Sequence, residues 1–189
     1  MRIAVLISGS GSNLQAIIDA VASKDLKHVE IVAVIADRNC YGLERALDAE
    51  LPTWFVERSE TLSSEIDEIC ENEKVDLIVL AGFLSILNEE FCTKWDKKII
   101  NLHPSLLPKY GGMGMYGAKV HKAVLANNEK ESGATVHYVS SGVDEGEIIL
   151  QESFEIPAEA DLDWLQQKIS EVEKPLLLKA IRKLADKSI

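Results

Sequence analysis

Asn101 and His103 stand two residues apart at the end of the apolar run Ile99–His103, and Pro104 and Pro108 stiffen the turn behind them. In an extended strand, residues i and i+2 point to the same face. A carboxamide donor and a titratable imidazole would then share one face of a strand end. Such a pair offers a hydrogen-bond donor beside a group that can move a proton. A lone histidine is more often structural, but the companion Asn and the rigid turn favour chemistry here. A second feature is the loop Gly142-Val143-Asp144-Glu145-Gly146. Acids framed by glycines are usually solvated turn formers. If this loop folds over the strand end, Asp144 would pair with His103 and raise its pKa, which would make the imidazole a general acid near neutral pH.

A third feature is Gly9-Ser10-Gly11-Ser12-Asn13-Leu14, a glycine-rich turn leading from a strand into a helix. Free N–H groups at a helix start suit an anion, and glycine lets backbone approach closely. Ser12 or Asn13 could cap the helix, and a capped turn with no ligand is the plainer reading. Leu14 stands where a dinucleotide fingerprint needs its third glycine, so a single phosphate suits the loop better than a pyrophosphate. Asp37, at the end of the second strand, keeps an NAD-linked oxidoreductase as a minor alternative. Among the other titratable groups, His137 lies on a predicted strand near the site and reads as a supporting residue. His28 reads as a surface loop residue, and His121, on a helix from about Ala118, is expected to face solvent. Lys109, Lys119 and Lys122 read as solvated cations that could bring positive charge to an acidic protein.

The elements that would position these groups alternate. Apolar runs at Ile3–Ser8, Glu30–Ala36, Thr53–Val56, Leu77–Ala81 and Ile99–His103 suit parallel strands covered on both faces. Leu14, Ile17, Ile18 and Val21, and then Leu62, Ile66, Ile69 and Cys70, form helical stripes between them. Alternation of this kind predicts an α/β fold, a doubly wound and mostly parallel sheet. Ligand sites in such sheets form at the carboxyl ends of the strands. Two later strands, Ala134–Val139 and Ile148–Phe154, and a helical tail from Asp161 would complete it, with Pro175 expected to kink or break that helix. The expectation is one domain over residues 1–189.

Composition sets the limits. The chain has 189 residues, 47% hydrophobic and 27% charged, with a formal net charge of −11. These are globular values, and so acidic a chain does not suit nucleic acid or an anionic membrane surface. The N-terminus reads as a strand and not as a signal peptide. The longest apolar run, Leu77–Leu87, is too short to cross a bilayer. Three cysteines with no CxxC pair suggest a reduced cytoplasmic setting with no zinc site or disulfide frame, the thiols serving as small buried hydrophobes.

Several strings together carry a family resemblance: Ile7-Ser8-Gly9-Ser10-Gly11-Ser12-Asn13-Leu14-Gln15-Ala16-Ile17, Leu80-Ala81-Gly82-Phe83, Asn101-Leu102-His103-Pro104-Ser105-Leu106-Leu107-Pro108, and Val143-Asp144 followed by Ile149-Leu150-Gln151. In these the chain closely resembles the phosphoribosylglycinamide formyltransferases, the folate-dependent GAR transformylases of purine synthesis, over nearly its whole length. The resemblance implies a Rossmann-like formyltransferase fold and transfer of the formyl group of 10-formyltetrahydrofolate, a co-substrate, to the amine of 5'-phosphoribosylglycinamide. It implies that Asn101, His103 and Asp144 are catalytic and that Gly11, Ser12 and Asn13 hold the substrate phosphate. It further implies that Glu173 lies on the side of the substrate amine. The folate would be held by Leu84, Ser85, Ile86 and Leu87 and by Asn101, Ser140, Val143 and Asp144. No metal, nucleic acid or membrane partner is implied, and the chain would act as a monomer or weak homodimer. Alternatives are a deformylase, a formyltransferase acting on a different amine, or a non-catalytic phosphate- or folate-binding module.

Two departures from the family pattern stand out. Ser85 occupies a position where many relatives carry Arg, which predicts weaker or differently built binding of the folate glutamate tail. The segment Tyr110-Gly111-Gly112-Met113-Gly114-Met115-Tyr116-Gly117 is longer and richer in glycine than the common Pro-Gly form. It is expected to be a mobile flap, and Met113 stands where some relatives place Lys.

Overall fold

The computed structural model describes residues 1–187; the last two positions of the expected 1–189 domain lie outside the described residues. Strands β1 (Arg2–Ile7), β2 (Glu30–Ala36), β3 (Thr53–Phe55), β4 (Leu77–Leu80) and β5 (Ile99–His103) alternate with helices α1 (Ser12–Ala22), α2 (Tyr41–Asp48), α3 (Leu62–Asn72) and α4 (Glu89–Lys94). Then follow α5 (Ala118–Ala126), β6 (Glu131–Tyr138), β7 (Ile148–Glu155) and α6 (Leu162–Lys187). The seven strands form one sheet in the order β3-β2-β1-β4-β5-β6-β7. Its first five strands are parallel, and β6 and β7 add antiparallel at one side. This is the expected doubly wound α/β architecture.

The two-residue side-chain alternation of the strands explains why the apolar runs are unbroken. Ile3, Val5 and Ile7 enter one core with α1 and α6, while Ala4 and Leu6 enter the opposite core with α3 and α4. Each fully buried Ile or Leu contributes about 1.5–3 kcal/mol by leaving water. The α1 stripe buries Leu14 and Ile17, and the α3 stripe buries Leu62, Ile66 and Cys70.

Helix α6 is continuous through Pro175, so the break that the proline could cause does not occur. Its second half buries Leu176, Leu177, Ala180 and Ile181 against the sheet. That packing outweighs the missing hydrogen bond of one proline, a loss on the order of 3 kcal/mol.

The start of α1 also differs in detail. Neither Ser12 nor Asn13 caps it; Gly11 holds the N-cap position at φ 70°. A β-carbon on Gly11 would stand 2.6 Å from the Gly42 Cα of α2. The glycine therefore serves close contact between α1 and α2 as well as an open turn. Gly11→Ala is expected to destabilise the fold by roughly 1–3 kcal/mol through overpacking and backbone strain. Urea unfolding checks this, and an unchanged midpoint would contradict it.

Candidate active site

The carboxyl ends of β1, β4 and β5 open into a cavity of about 440 Å³. Asn101 and His103 reach it from β5, as their two-residue spacing requires. Antiparallel pairing sets His137 of β6 directly opposite Asn101, and Thr135 opposite His103. Asp144 enters from the β6–β7 loop in a left-handed conformation, φ 59°. Asp tolerates that region better than most residues. The turn after β5 is fixed from below by Thr135, whose Oγ1 donates to the Ser105 carbonyl (2.6 Å) and accepts from the Leu107 N–H (3.1 Å) and from Gln151 Nε2 (2.8 Å).

The polar groups meet as follows. Asn101 Nδ2 lies 3.1 Å from His137 Nε2 and donates to Asp144 Oδ1 at 3.4 Å. His103 Nδ1 is 3.5 Å from Asp144 Oδ2, and His137 Nε2 is 3.6 Å from Asp144 Oδ1. The Gly112 N–H of the flap donates to Asp144 Oδ2 at 3.0 Å. His103 Nε2 is 2.8 Å from the Tyr110 carbonyl, and His137 Nδ1 is 2.8 Å from that of Tyr138. A carbonyl only accepts, so His103 carries its proton on Nε2 and His137 on Nδ1. His137 Nε2 is thereby an acceptor for the Asn101 amide.

Burial pushes the His103 imidazole below its usual pKa; Asp144 and the Tyr110 carbonyl pull it up, and His137 pushes it further down. The expected rise is therefore reversed. The carboxylate acts in the anticipated direction, but desolvation of a ring that is 4% exposed outweighs it. Burial alone would raise Asp144, yet the neighbouring His137 and His103 imidazoles and the Gly112 N–H hold it below the usual carboxylate range.

At the other end of the same cavity stand Asn13 and Glu173. Burial raises Glu173 from 4.5 to about 7, against opposing effects of the Asn13 side chain and Lys174. The folded state thus binds this proton more tightly than the unfolded chain, and stability is lost as pH rises from 4.5 through about 7. Glu173→Gln is expected to be more stable than the native protein at pH 8, by up to about 3 kcal/mol, with the difference shrinking towards pH 5. Urea unfolding at the two pH values checks this, and an equal difference at both would contradict it.

Leu84, Ser85, Ile86, Leu87, Ser140 and Val143 all line the cavity. Gly11 and Ser12 do not, although Asn13 beside them does. Arg45 reaches over from α2 to the α1 turn, donating to the Ser10 carbonyl (2.8 Å) and to Gln15 Oε1 (3.1 Å). Asp37 is buried and accepts from both Arg38 nitrogens at 2.9 Å and from Ser85 Oγ. Burial would raise its pKa, but the Arg38, Ser85 and Ser8 hydrogen bonds bring it to about 2. A carboxylate so engaged has little capacity left for a ribose, which removes support from the NAD reading. Position 85 has a cation after all. Arg58 donates through Nε to Ser85 Oγ (2.9 Å) and through Nη2 to the Leu84 carbonyl (3.1 Å). Sequence reading missed it because it comes from the segment after β3, 27 residues upstream. His121 was expected at the surface but is buried and lines the cavity. Helix α5 keeps Ala118, Lys119, Lys122 and Ala126 exposed, but Val120, His121 and Val124 form its buried side, and His121 lies where that side meets the cavity.

A carboxamide, an imidazole and a carboxylate gathered at the carboxyl ends of a doubly wound sheet can together stabilise a developing oxyanion and move a proton. The chain belongs to the formyl transferase family, whose pattern matches residues 1–181. It is 40% identical over 187 residues to a phosphoribosylglycinamide formyltransferase of Haemophilus influenzae, covering 94% of this chain and 85% of that protein. It is 44% identical over 179 residues to the trifunctional purine biosynthetic protein adenosine-3 of Drosophila melanogaster, covering 91% of this chain but only 13% of that protein. Among solved structures, a phosphoribosylglycinamide formyltransferase from Anaplasma phagocytophilum superposes with a TM-score of 0.91 at 35% identity, covering 99% of this chain and 88% of that one. Among the described residues no helix is long and apolar enough to cross a membrane.

Proposed function

We propose that this chain, acting as a single domain, transfers the formyl group of 10-formyltetrahydrofolate to the amine of 5'-phosphoribosylglycinamide. The observation that carries the reading is the convergence of Asn101, His103 and Asp144 on one cavity, with Asp144 within 3.4–3.5 Å of both partners. The same cavity runs to Asn13 at the start of α1 and to Glu173, giving a phosphate-bearing amine a place to lie. The free N–H groups of the Gly11–Asn13 turn suit that phosphate, and Arg45 adds a local cation in an acidic protein. The apolar wall around Leu84, Ile86 and Val143 suits the pterin end of the folate. Arg58 offers its charge to the glutamate tail that Ser85 cannot hold.

In this reading the substrate nitrogen attacks the formyl carbon, and negative charge develops on the formyl oxygen. The Asn101 amide has both Nδ2 hydrogens engaged in the free enzyme. Its 3.4 Å bond to Asp144 is the longer and weaker one, and releasing it frees one hydrogen for the oxyanion. His103 Nε2–H likewise exchanges the Tyr110 carbonyl for the substrate oxygen. Charge on that oxygen favours the imidazolium, formed with a proton from solvent on Nδ1, and Asp144 Oδ2, 3.5 Å from Nδ1, pairs with that charge. The C–N bond to folate then breaks, and the one proton that the attacking nitrogen gives up passes to the departing folate nitrogen through water. Removal of one oxyanion donor typically costs about 10²–10³ in rate.

The test is a folate absorbance assay with three acceptors: glycinamide ribonucleotide, water and an amino sugar. Turnover confined to the ribonucleotide is expected. Equal release of formate in water would favour a deformylase, and tight binding without turnover a binding module.

A further inference from the structure

His103, His121 and His137 are all buried on the wall of the central cavity. Two of them are tied down, His103 to the Tyr110 carbonyl and His137 to the Tyr138 carbonyl and Asn101. His121 is the exception. It lies on α5 at 7% exposure, and its Nδ1 is buried with no hydrogen-bond partner. Buried polar atoms in folded proteins are nearly always bonded, so each orphan calls for a reason.

Packing does not supply that reason. The neighbouring α5 positions Val120 and Val124 fill an apolar cluster with Leu165 and Ile169 of α6. An aliphatic residue at 121 would pack there with no polar atom left unmet. Burial and the nearby His103 both push the His121 imidazole below its usual pKa. Both effects favour the neutral ring, and a neutral imidazole keeps one nitrogen as an acceptor. The polar groups around His103 already serve one another: Asn101 with His137 and Asp144, and Asp144 with Gly112; Asn13 Oδ1 is a second buried atom of the cavity lining with no partner. His121 alone among the three imidazoles has no such engagement at its orphan nitrogen.

We propose that His121 is a substrate-contacting residue whose unpartnered ring nitrogen accepts a hydrogen bond from an N–H or O–H group of the ribonucleotide substrate. The inference rests on the formyl-transfer reading above for the identity of that substrate. Its amine, its amide and its ribose hydroxyls all supply such donors. The residue takes part as a neutral partner and transfers no proton. It fixes where the nucleophile lies relative to Asn101 and His103.

Two kinds of measurement test this. The variants His121→Leu, His121→Asn and His121→Gln are compared in thermal melts and steady-state kinetics. Leucine removes an unmet polar group at similar volume, so its Tm should match or exceed that of the native protein. Its kcat/KM should fall about tenfold or more, the loss of one buried hydrogen bond to ligand. Asparagine or glutamine, whose carboxamide can stand in for one ring nitrogen, should recover most of that loss. A leucine variant of native kcat/KM, or one whose Tm falls along with its activity, would overturn the proposal. Separately, the His121 ring-nitrogen NMR resonances of the native protein should shift on adding glycinamide ribonucleotide without folate. Unmoved resonances in a protein that turns over would refute the contact. A native protein without formyl transfer would instead refute the functional reading, and the resonance shift would then judge the contact by itself.

Discussion

His103→Ala is expected to lower kcat by about 10²–10³, the usual effect of removing a donor to a developing oxyanion. KM should change far less, because the apolar folate wall and the α1 turn remain. The fold should survive. The His103 ring makes one hydrogen bond, to the Tyr110 carbonyl, and alanine keeps the strand backbone and enlarges an existing cavity without opening a new void in the sheet. A Tm within several degrees of the native value, measured with the kinetics, separates a lost reaction from a lost structure. A near-normal kcat would remove His103 from the reaction.

Asp144→Asn should be nearly as costly, for two reasons that add. The carboxylate accepts the Gly112 N–H at 3.0 Å and the Asn101 amide at 3.4 Å, so it holds the flap and the carboxamide in one arrangement. It is also the group that pulls the His103 pKa upward against burial. With asparagine in its place, the His103 pKa should fall further, leaving less imidazolium at any pH above it. The expected rate loss at neutral pH is about 10² or more, with part of it recovered on acidification. Titration of His103 by NMR in both proteins checks the sign. A histidine that titrates at the same pH in the variant would show that the 3.5 Å approach has no electrostatic consequence.

Much of the scaffold was legible in the sequence because it rests on short-range patterns. The strands are unbroken apolar runs since both faces of the sheet are covered, and Glu30–Ala36 and Ile99–His103 agree with β2 and β5 to the residue. Helices α2 and α4 were passed over. The six residues of α4 are too few for a periodic stripe, yet Asn88 accepts the Phe91 N–H, Glu89 and Glu90 follow it, and Lys94 closes the last turn. That capping pattern was a usable signal. Pro175 does not break α6 because tertiary packing overrides a local propensity that sequence alone shows.

The site divides along the same line. Asn101 and His103 share a face by strand geometry alone, so their pairing could be read directly. The approach of Asp144 spans 41 residues from His103 and depends on how two antiparallel strands place their loop; no spacing rule fixes it. The direction of the His103 pKa was misread because sequence names the neighbouring charge but not the depth of burial. Arg58 and Thr135 act on residues 27 and 30 positions away, and His121 is buried by a helix whose surroundings only the fold defines.

One labelling experiment bears most directly on the chemistry assigned to this cleft. Folate carrying a ¹³C-formyl group is mixed with excess enzyme and glycinamide ribonucleotide, and the label is followed by NMR through a single turnover. The formyl carbon should leave the folate nitrogen and reappear bonded to the glycinamide nitrogen, with the transfer abolished in His103→Ala. Label found as free formate, or retained on folate by a protein that binds both ligands, would contradict the account.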